Sequence, residues 1–218
     1  MSAATIQVLD ERTANKIAAG EVIEKPSSVV KELVENSIDA QSHNIIVEIT
    51  GGGLEYISVL DDGHGMGAED AELCILRHAT SKIKCADDLT AIATLGFRGE
   101  ALPSIAAVSR FTLLSRPADQ DFATLVTVAG GKISEVREAG GPTGTKITVT
   151  DLFYNTPARK KFLKSPATES TNIHQIITKL ALSHPDIAFK LINGNRTVLS
   201  TPGNGEPLSA LTGLYGGK

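Results

Sequence analysis

The stretch from Ser27 to Ala40, SSVVKELVENSIDA, constrains the fold more tightly than any other part of the chain. Val29, Val30, Leu33, Val34 and Ile38 recur at helical spacing, which predicts a helix with one buried stripe. Two runs near 44–50 and 55–60 follow it. Ile45, Val47 and Ile49 alternate with polar neighbours in the first, Ile57 and Val59 in the second, so both read as strands joined by the turn Gly51-Gly52-Gly53. The helix carries a second pattern beside its stripe. Glu32 and Asn36 are four residues apart and share a face. A carboxylate there can take a proton from water. A carboxamide oxygen is a ligand that a hard cation such as Mg²⁺ accepts. Taken alone, the pair also fits a solvated polar face.

The remaining chain reads in the same alternating way. Residues 13–25 are predicted to be a first helix, with Ile17, Ala18 and Val22 on one side and Pro26-Ser27 as punctuation. A turn at Gly63, Gly65 and Gly67 leads to a helix near 69–78. Residues 79–103 have weak periodicity and are expected to form a long mobile loop with a short helix near 87–93, a length of irregular chain that is usually functional or disordered. Strands are predicted near 109–115, 122–129, 132–138 and 145–150. A helix at 168–183 and a hairpin turning at Asn193-Gly194 complete the fold. No closing element is predicted at the end, and the chain reads as an N-terminal fragment of something longer.

Composition removes several function classes. The 218 residues are 41% hydrophobic and 21% charged, an ordinary globular balance. No apolar run reaches the roughly 18 residues of a membrane helix. No signal peptide is visible, and Cys74 and Cys85 are too few for a disulfide framework, so a reducing cytoplasm is the expected location. A net charge of −4 argues against a strong stand-alone nucleic-acid binder.

Further motifs carry chemistry. In Asp61-Asp62-Gly63-His64-Gly65-Met66-Gly67 the glycines permit close backbone approach, and an aspartate at a strand end can accept from an amino group such as that of adenine. Gly63-x-Gly65-x-x-Ala68 fits a loose dinucleotide fingerprint, but no second apolar strand follows the helix, so that reading is rejected. No G-x-x-x-x-G-K-[ST] phosphate loop occurs. Gly96-Phe97-Arg98-Gly99-Glu100-Ala101-Leu102, entering a helical segment, can form a nest of backbone N–H groups for phosphates. Thr80, Ser81 and Lys82 upstream add hydroxyls and a cation. Thr145 opens a strand and can share the contact made by Asp61. Arg159, Lys160, Lys161 and Lys164 suit either DNA phosphates or a solvated helix face. Cys74, His78 and Cys85 resemble a zinc set only superficially.

Taken in order, the E-x-x-x-N helix, D-x-G-x-G turn, G-F-R-G-E-A-L loop and G-T strand are similar to the GHKL ATPases, which include DNA gyrase B, the large heat-shock chaperone, histidine kinases and MutL. Ile17 to Ile23, Lys31 to Ala40, Arg77 to Ile83, Gly96 to Leu102 and Asp151 to Phe162 resemble the MutL mismatch-repair family more closely, over about Ile6 to Leu163. One departure is Asp62, where that family usually has asparagine.

The resemblance implies an α+β fold of the GHKL (Bergerat) type: a mixed, mostly antiparallel sheet with helices on one face and nucleotide between sheet and lid. It implies one ATPase domain over 1–218, with the transducer subdomain and C-terminal dimerisation domain absent. Carried over by position, Glu32 is the general base, and Asn36 holds Mg²⁺ bound to ATP. Asp61 binds the adenine amine, with Gly65, Met66 and Thr145 beside it. Thr80, Ser81 and Lys82 lie near the phosphates, and residues Gly96 to Leu102 form the lid. The expected function is a slow ATP switch that couples mismatch recognition to repair through lid ordering and dimerisation. The implied partners are a MutS-type recognition protein, a downstream nuclease or helicase, DNA held weakly without sequence preference, and a second copy of the full-length protein. No membrane is implied, and the location would be cytoplasmic, at the nucleoid during repair. A topoisomerase-type ATPase subunit or a DNA-binding scaffold with a vestigial pocket are the alternatives.

Overall fold

The computed structural model describes residues 7, 8, 10, 19, 20, 22–83, 94–96 and 99–216. Helix α1 spans Pro26–Asp39, with the proline at its start, where a missing N–H costs nothing. It buries Val29, Val30, Leu33 and Val34 of the predicted stripe, and Ile38, the stripe's last member, is only partly buried. Each such side chain contributes about 1.5–3 kcal/mol on burial, well above any difference in helix propensity. Strands β1, Asn44–Thr50, and β2, Tyr56–Asp61, pair antiparallel across a short 3₁₀ turn, Gly51–Gly53. All three turn glycines have positive φ, and a Cβ on Gly53 would lie 2.9 Å from Pro26 Cβ, so α1 starts hard against this turn.

After α2, Ala68–Leu73, and α3, Ala101–Ala107, come β3, Arg110–Arg116, β4, Ala123–Ala129, β5, Lys132–Ala139, and β6, Gly144–Thr150. The short α4, Pro157–Phe162, and the long α5, Pro166–Ser183, lead to the hairpin β7, Ala188–Asn193, and β8, Arg196–Ser200, and to α6, Pro207–Tyr215. The sheet runs β5-β4-β3-β6-β2-β1-β7-β8. Every neighbouring pair is antiparallel except β1 with β7. The mixed, mostly antiparallel α+β reading therefore holds.

Strand register sorts the helix-covered face into rows. Val59, Ile147, Leu113 and Val126 align across β2, β6, β3 and β4, and Ile57, Val149, Phe111 and Val128 form the next row. All eight are buried. Toward the other end of the same strands the row is polar: Asp61, Thr145, Ser115 and Thr124, also buried. Helix α5 buries Ile173, Ile177 and Ala181, spaced four apart, and packs against α1, the 3₁₀ turn and the strand Ala188–Asn193.

Three expectations need correction. The helix predicted near 69–78 ends at Leu73. Beyond it His78 takes a φ of 62° and its N–H bonds the Gly99 carbonyl at 3.0 Å, so a tertiary contact draws the chain out of the helix. The loop predicted to run to Pro103 already turns helical at Ala101, with Pro103 in the tolerant first turn. The chain end does carry a closing element, α6. A Cβ on its Gly213 would lie 2.5 Å from the Ser200 carbonyl, so a poor helix former sits where the helix meets β8. Most of the predicted first helix, with Ile17 and Ala18, and the short helix near 87–93 lie outside the described residues, although Ala19, Gly20 and Val22 are helical. No described helix is long and apolar enough to cross a membrane.

Two motifs prove architectural. Phe153 is fully buried with a φ of 65°, held by its N–H to Val108 O at 2.7 Å, while Leu152 N–H bonds Leu54 O at 3.0 Å. This corner ties the 3₁₀ turn to the end of α3. Asp62 turns its carboxylate onto the start of β1. Oδ1 accepts from the N–H groups of His43 and Asn44, both at 2.8 Å, and Oδ2 from Asn44 Nδ2 at 2.7 Å. Partial burial raises the Asp62 pKa, but these donors outweigh it and leave the carboxyl below its ordinary 3.8. A depressed pKa stabilises the fold above the unfolded value and loses that contribution as pH falls through the folded one. Asp62→Asn is thus expected to be less stable than the native chain at neutral pH. In urea melts the gap should narrow between pH about 5 and about 3; a gap that stays constant over that range would contradict it.

Candidate functional site

The polar row opens into a cavity of about 520 Å³ between the sheet and the helices. Asp61, only 7% exposed, sits at its base. Its Oδ2 accepts from Ser37 Oγ at 2.7 Å, and its Oδ1 from the N–H groups of Gly63 at 3.0 Å and Thr145 at 3.2 Å. The carboxylate is fixed by α1, by its own turn and by β6 at once, and it can still accept from a ligand amino group. Thr145 Oγ1 lies 2.8 Å from Ser115 Oγ, which accepts from Met66 N–H at 2.8 Å. The loop after β2 is thereby pinned to β3. Its closeness demands glycine: Gly65 has a φ of 70°, and a Cβ would collide with the Arg116 carbonyl. Val22, Leu33, Met66, Leu102 and Ile147 supply apolar lining, which suits a planar base.

Glu32 and Asn36 form one wall, on successive turns of α1. Lys31 Nζ lies 2.7 Å from Glu35 and 3.4 Å from Glu32, so its tighter partner is Glu35. Burial lowers the Lys31 pKa, yet the two carboxylates prevail and raise it, so it stays cationic. Across the cavity, Lys82 Nζ reaches Asn36 Oδ1 at 2.9 Å and Asp39 Oδ2 at 2.6 Å. Thr80 Oγ1 accepts from Lys82 N–H at 3.2 Å. Gly99 has a φ of 59°, and a Cβ there would lie 2.5 Å from Ala79 O, so the segment holding Thr80 and Ser81 passes directly over the glycine loop.

The cavity therefore gathers Glu32, Asn36, Asp61, Gly65, Met66, Thr80, Ser81, Lys82, Gly96, Gly99, Glu100, Ala101, Leu102 and Thr145. Phe97 and Arg98 lie outside the described residues. Sequence reasoning missed Ser37, Asp39 and Ser115. Ser37 and Asp39 lie in the quoted helix, one and three residues past Asn36, and helical spacing gave no reason to look there. Ser115 is visible only through strand register. The cluster Arg159, Lys160, Lys161 and Lys164 contributes nothing to the cavity, and Lys160 and Lys161 are exposed on α4. No cluster of His, Cys, Asp or Glu suited to a metal occurs among the described residues, and burial pushes the Cys74 thiol up to about 12, so that it behaves as core. Cys85 lies outside the described residues.

Residues 23–152 match the family of histidine kinase-, DNA gyrase B-, and HSP90-like ATPases. Over 98% of its length the chain is 57% identical to the DNA mismatch repair protein MutL of Symbiobacterium thermophilum, and over 97% it is 55% identical to that of Desulforamulus reducens. It spans about a third of those relatives, 34% and 33% of their lengths. Among solved structures, the Aquifex aeolicus MutL ATPase domain complexed with ADP superposes with a TM-score of 0.71 at 33% identity, covering 89% of this chain and 70% of that one. Gly65→Ala is expected to cost about 1–3 kcal/mol of unfolding free energy, because both the backbone and the Arg116 carbonyl must yield. Urea denaturation measures it, and an unchanged midpoint would show that the loop can move away.

Proposed function

Because the chain belongs to the MutL family of histidine kinase-, DNA gyrase B- and HSP90-like ATPases, we propose that it binds ATP with Mg²⁺ and is the slow ATPase switch domain of a mismatch-repair protein. The observation that carries this reading is the single cavity that joins Asp61, at its polar base, to the Glu32–Asn36 wall. The adenine amine donates to Asp61, whose remaining acceptor capacity faces the cavity, and Thr145 takes the neighbouring base edge. The phosphates run toward Asn36, where Thr80, Ser81, Lys82 and the backbone of Gly96, Gly99 and Glu100 surround them.

Asn36 would hold Mg²⁺. The donor fits, since it is an oxygen ligand inside the cavity that already accepts from a cationic nitrogen. The ion supplies charge neutralisation on the phosphates. Glu32 lies one helical turn, about 6 Å, from Asn36 along α1. It orients a water and takes its proton as the water oxygen bonds to the γ-phosphorus. The bond to the β-phosphate oxygen breaks, and ADP leaves with the electron pair.

The whole-protein role rests on the same family reading. ATP orders residues around the glycine loop and favours dimerisation of a longer protein, which passes a signal from a MutS-type recognition protein to a nuclease or helicase and holds DNA weakly, in the cytoplasm. In the longer protein a lysine from a further subdomain also reaches the γ-phosphate. In the longer protein, Glu32→Ala is expected to keep ATP binding and to lower turnover by about 10²–10⁴-fold, whereas Asn36→Ala loses Mg²⁺-dependent binding. Equilibrium nucleotide titration beside a phosphate-release assay separates the two, and normal turnover in Glu32→Ala would refute its role as base.

A further inference from the structure

The last turn of α1 poses an electrostatic problem. Its C-terminal carbonyls carry partial negative charge, it contains Asp39, and it has no basic residue of its own. The carboxylate of Asp39 is nearly buried, with 9% of its side chain exposed. The compensating cation comes from another segment. Lys82 Nζ sits 2.6 Å from Asp39 Oδ2 and 2.9 Å from Asn36 Oδ1, and Asp39 also accepts from the N–H groups of Leu95 at 3.1 Å and Gly96 at 3.4 Å. The Lys82 side chain is largely buried, with 20% of it exposed, and a Cβ on Gly96 would lie 3.6 Å from its Nζ. Two oxygens and a close backbone thus define one cation-sized position.

We propose that Lys82 is a resident counter-cation of the metal position: Asp39 holds its ammonium on the Asn36 oxygen, and a metal–nucleotide complex binds by exchange with Lys82. The inference rests on the nucleotide reading for its purpose but on the Asn36–Asp39–Lys82 geometry for its substance. A Mg²⁺ ion about 2.1 Å from Asn36 Oδ1 would press against the ammonium already bonded there, and two cations on one carboxamide oxygen repel strongly in a partly dry site. Lys82 therefore leaves Asn36 when the metal arrives, and an incoming phosphate oxygen offers it a new partner of opposite charge. Asp39 acts through Lys82 and is a positioning residue. In the free protein the arrangement keeps Asn36 oriented and the end of α1 neutral.

Mn²⁺ alone, followed by electron paramagnetic resonance on the 218-residue chain, tests this without nucleotide. Lys82→Met is expected to bind Mn²⁺ about tenfold more tightly than the native chain, Lys82→Arg to match the native chain, and Asn36→Ala to remove the gain from Lys82→Met. Equal Mn²⁺ binding by the native and Lys82→Met proteins, or a gain that survives Asn36→Ala, overturns the proposal. Lys82→Gln serves if Lys82→Met does not fold. A second arm titrates ADP with and without Mg²⁺. Lys82→Met should weaken metal-free ADP binding while enlarging the strengthening that Mg²⁺ brings, and a parallel loss in both titrations would make Lys82 a phosphate contact alone. A native chain that binds no adenine nucleotide would sink the proposed function and leave the Mn²⁺ comparison to decide the counter-cation.

Discussion

The carboxylate of Asp61 organises this structure. A nearly buried acid at the end of a central strand is costly unless donors surround it. Here the donors come from three separate parts of the chain: Ser37 on α1, Gly63 in the following turn and Thr145 on β6. Satisfying one side chain therefore fixes the helix against the sheet and sets the turn. The same contacts leave room at the carboxylate for a fourth, external donor. Structural need and the proposed ligand contact fall on one residue.

The rest of the cavity follows from two further constraints. Strand register places Thr145 and Ser115 beside Asp61 and apolar residues in every row behind it, so the sheet is dry in its body and polar at one end. Close backbone approach then requires glycine at Gly65, opposite Arg116, and at Gly99, opposite Ala79. These approaches bring the segment holding Thr80, Ser81 and Lys82 over the last turn of α1. Lys82 consequently meets Asn36 and Asp39 although more than forty residues separate them in sequence, a separation of 46 and 43 positions.

The stripe of α1 and the strand alternation were legible because burial on one face imposes a period on the sequence, and the last hairpin because Asn193-Gly194 is a turn-forming pair. Asp61, Glu32 and Asn36 were legible as candidate chemistry through their order along the chain, and the structure lines one cavity with all three. The end of α2 at Leu73 and the existence of α6 were not legible, since each depends on a distant partner: Gly99 for His78, and Ser200 for Gly213. The stretch Asp151 to Phe162 was legible as a family mark but not as a structural corner, because the positive φ of Phe153 is held by Val108 and its neighbour Leu152 by Leu54.

The mixed α+β class was read from the resemblance to the GHKL ATPases; by itself the sequence determined most of the elements and the kinds of group at the candidate site. Those depend on local spacing and residue chemistry, which a linear pattern carries. Only the tertiary structure decided which donors hold Asp61, that Asp62 serves β1 and not the cavity, and that Lys82 rests on Asn36. Each of these is a short-range electrostatic contact between residues far apart in the chain. Such contacts have no sequence period and form only once apolar burial has set the register and the packing.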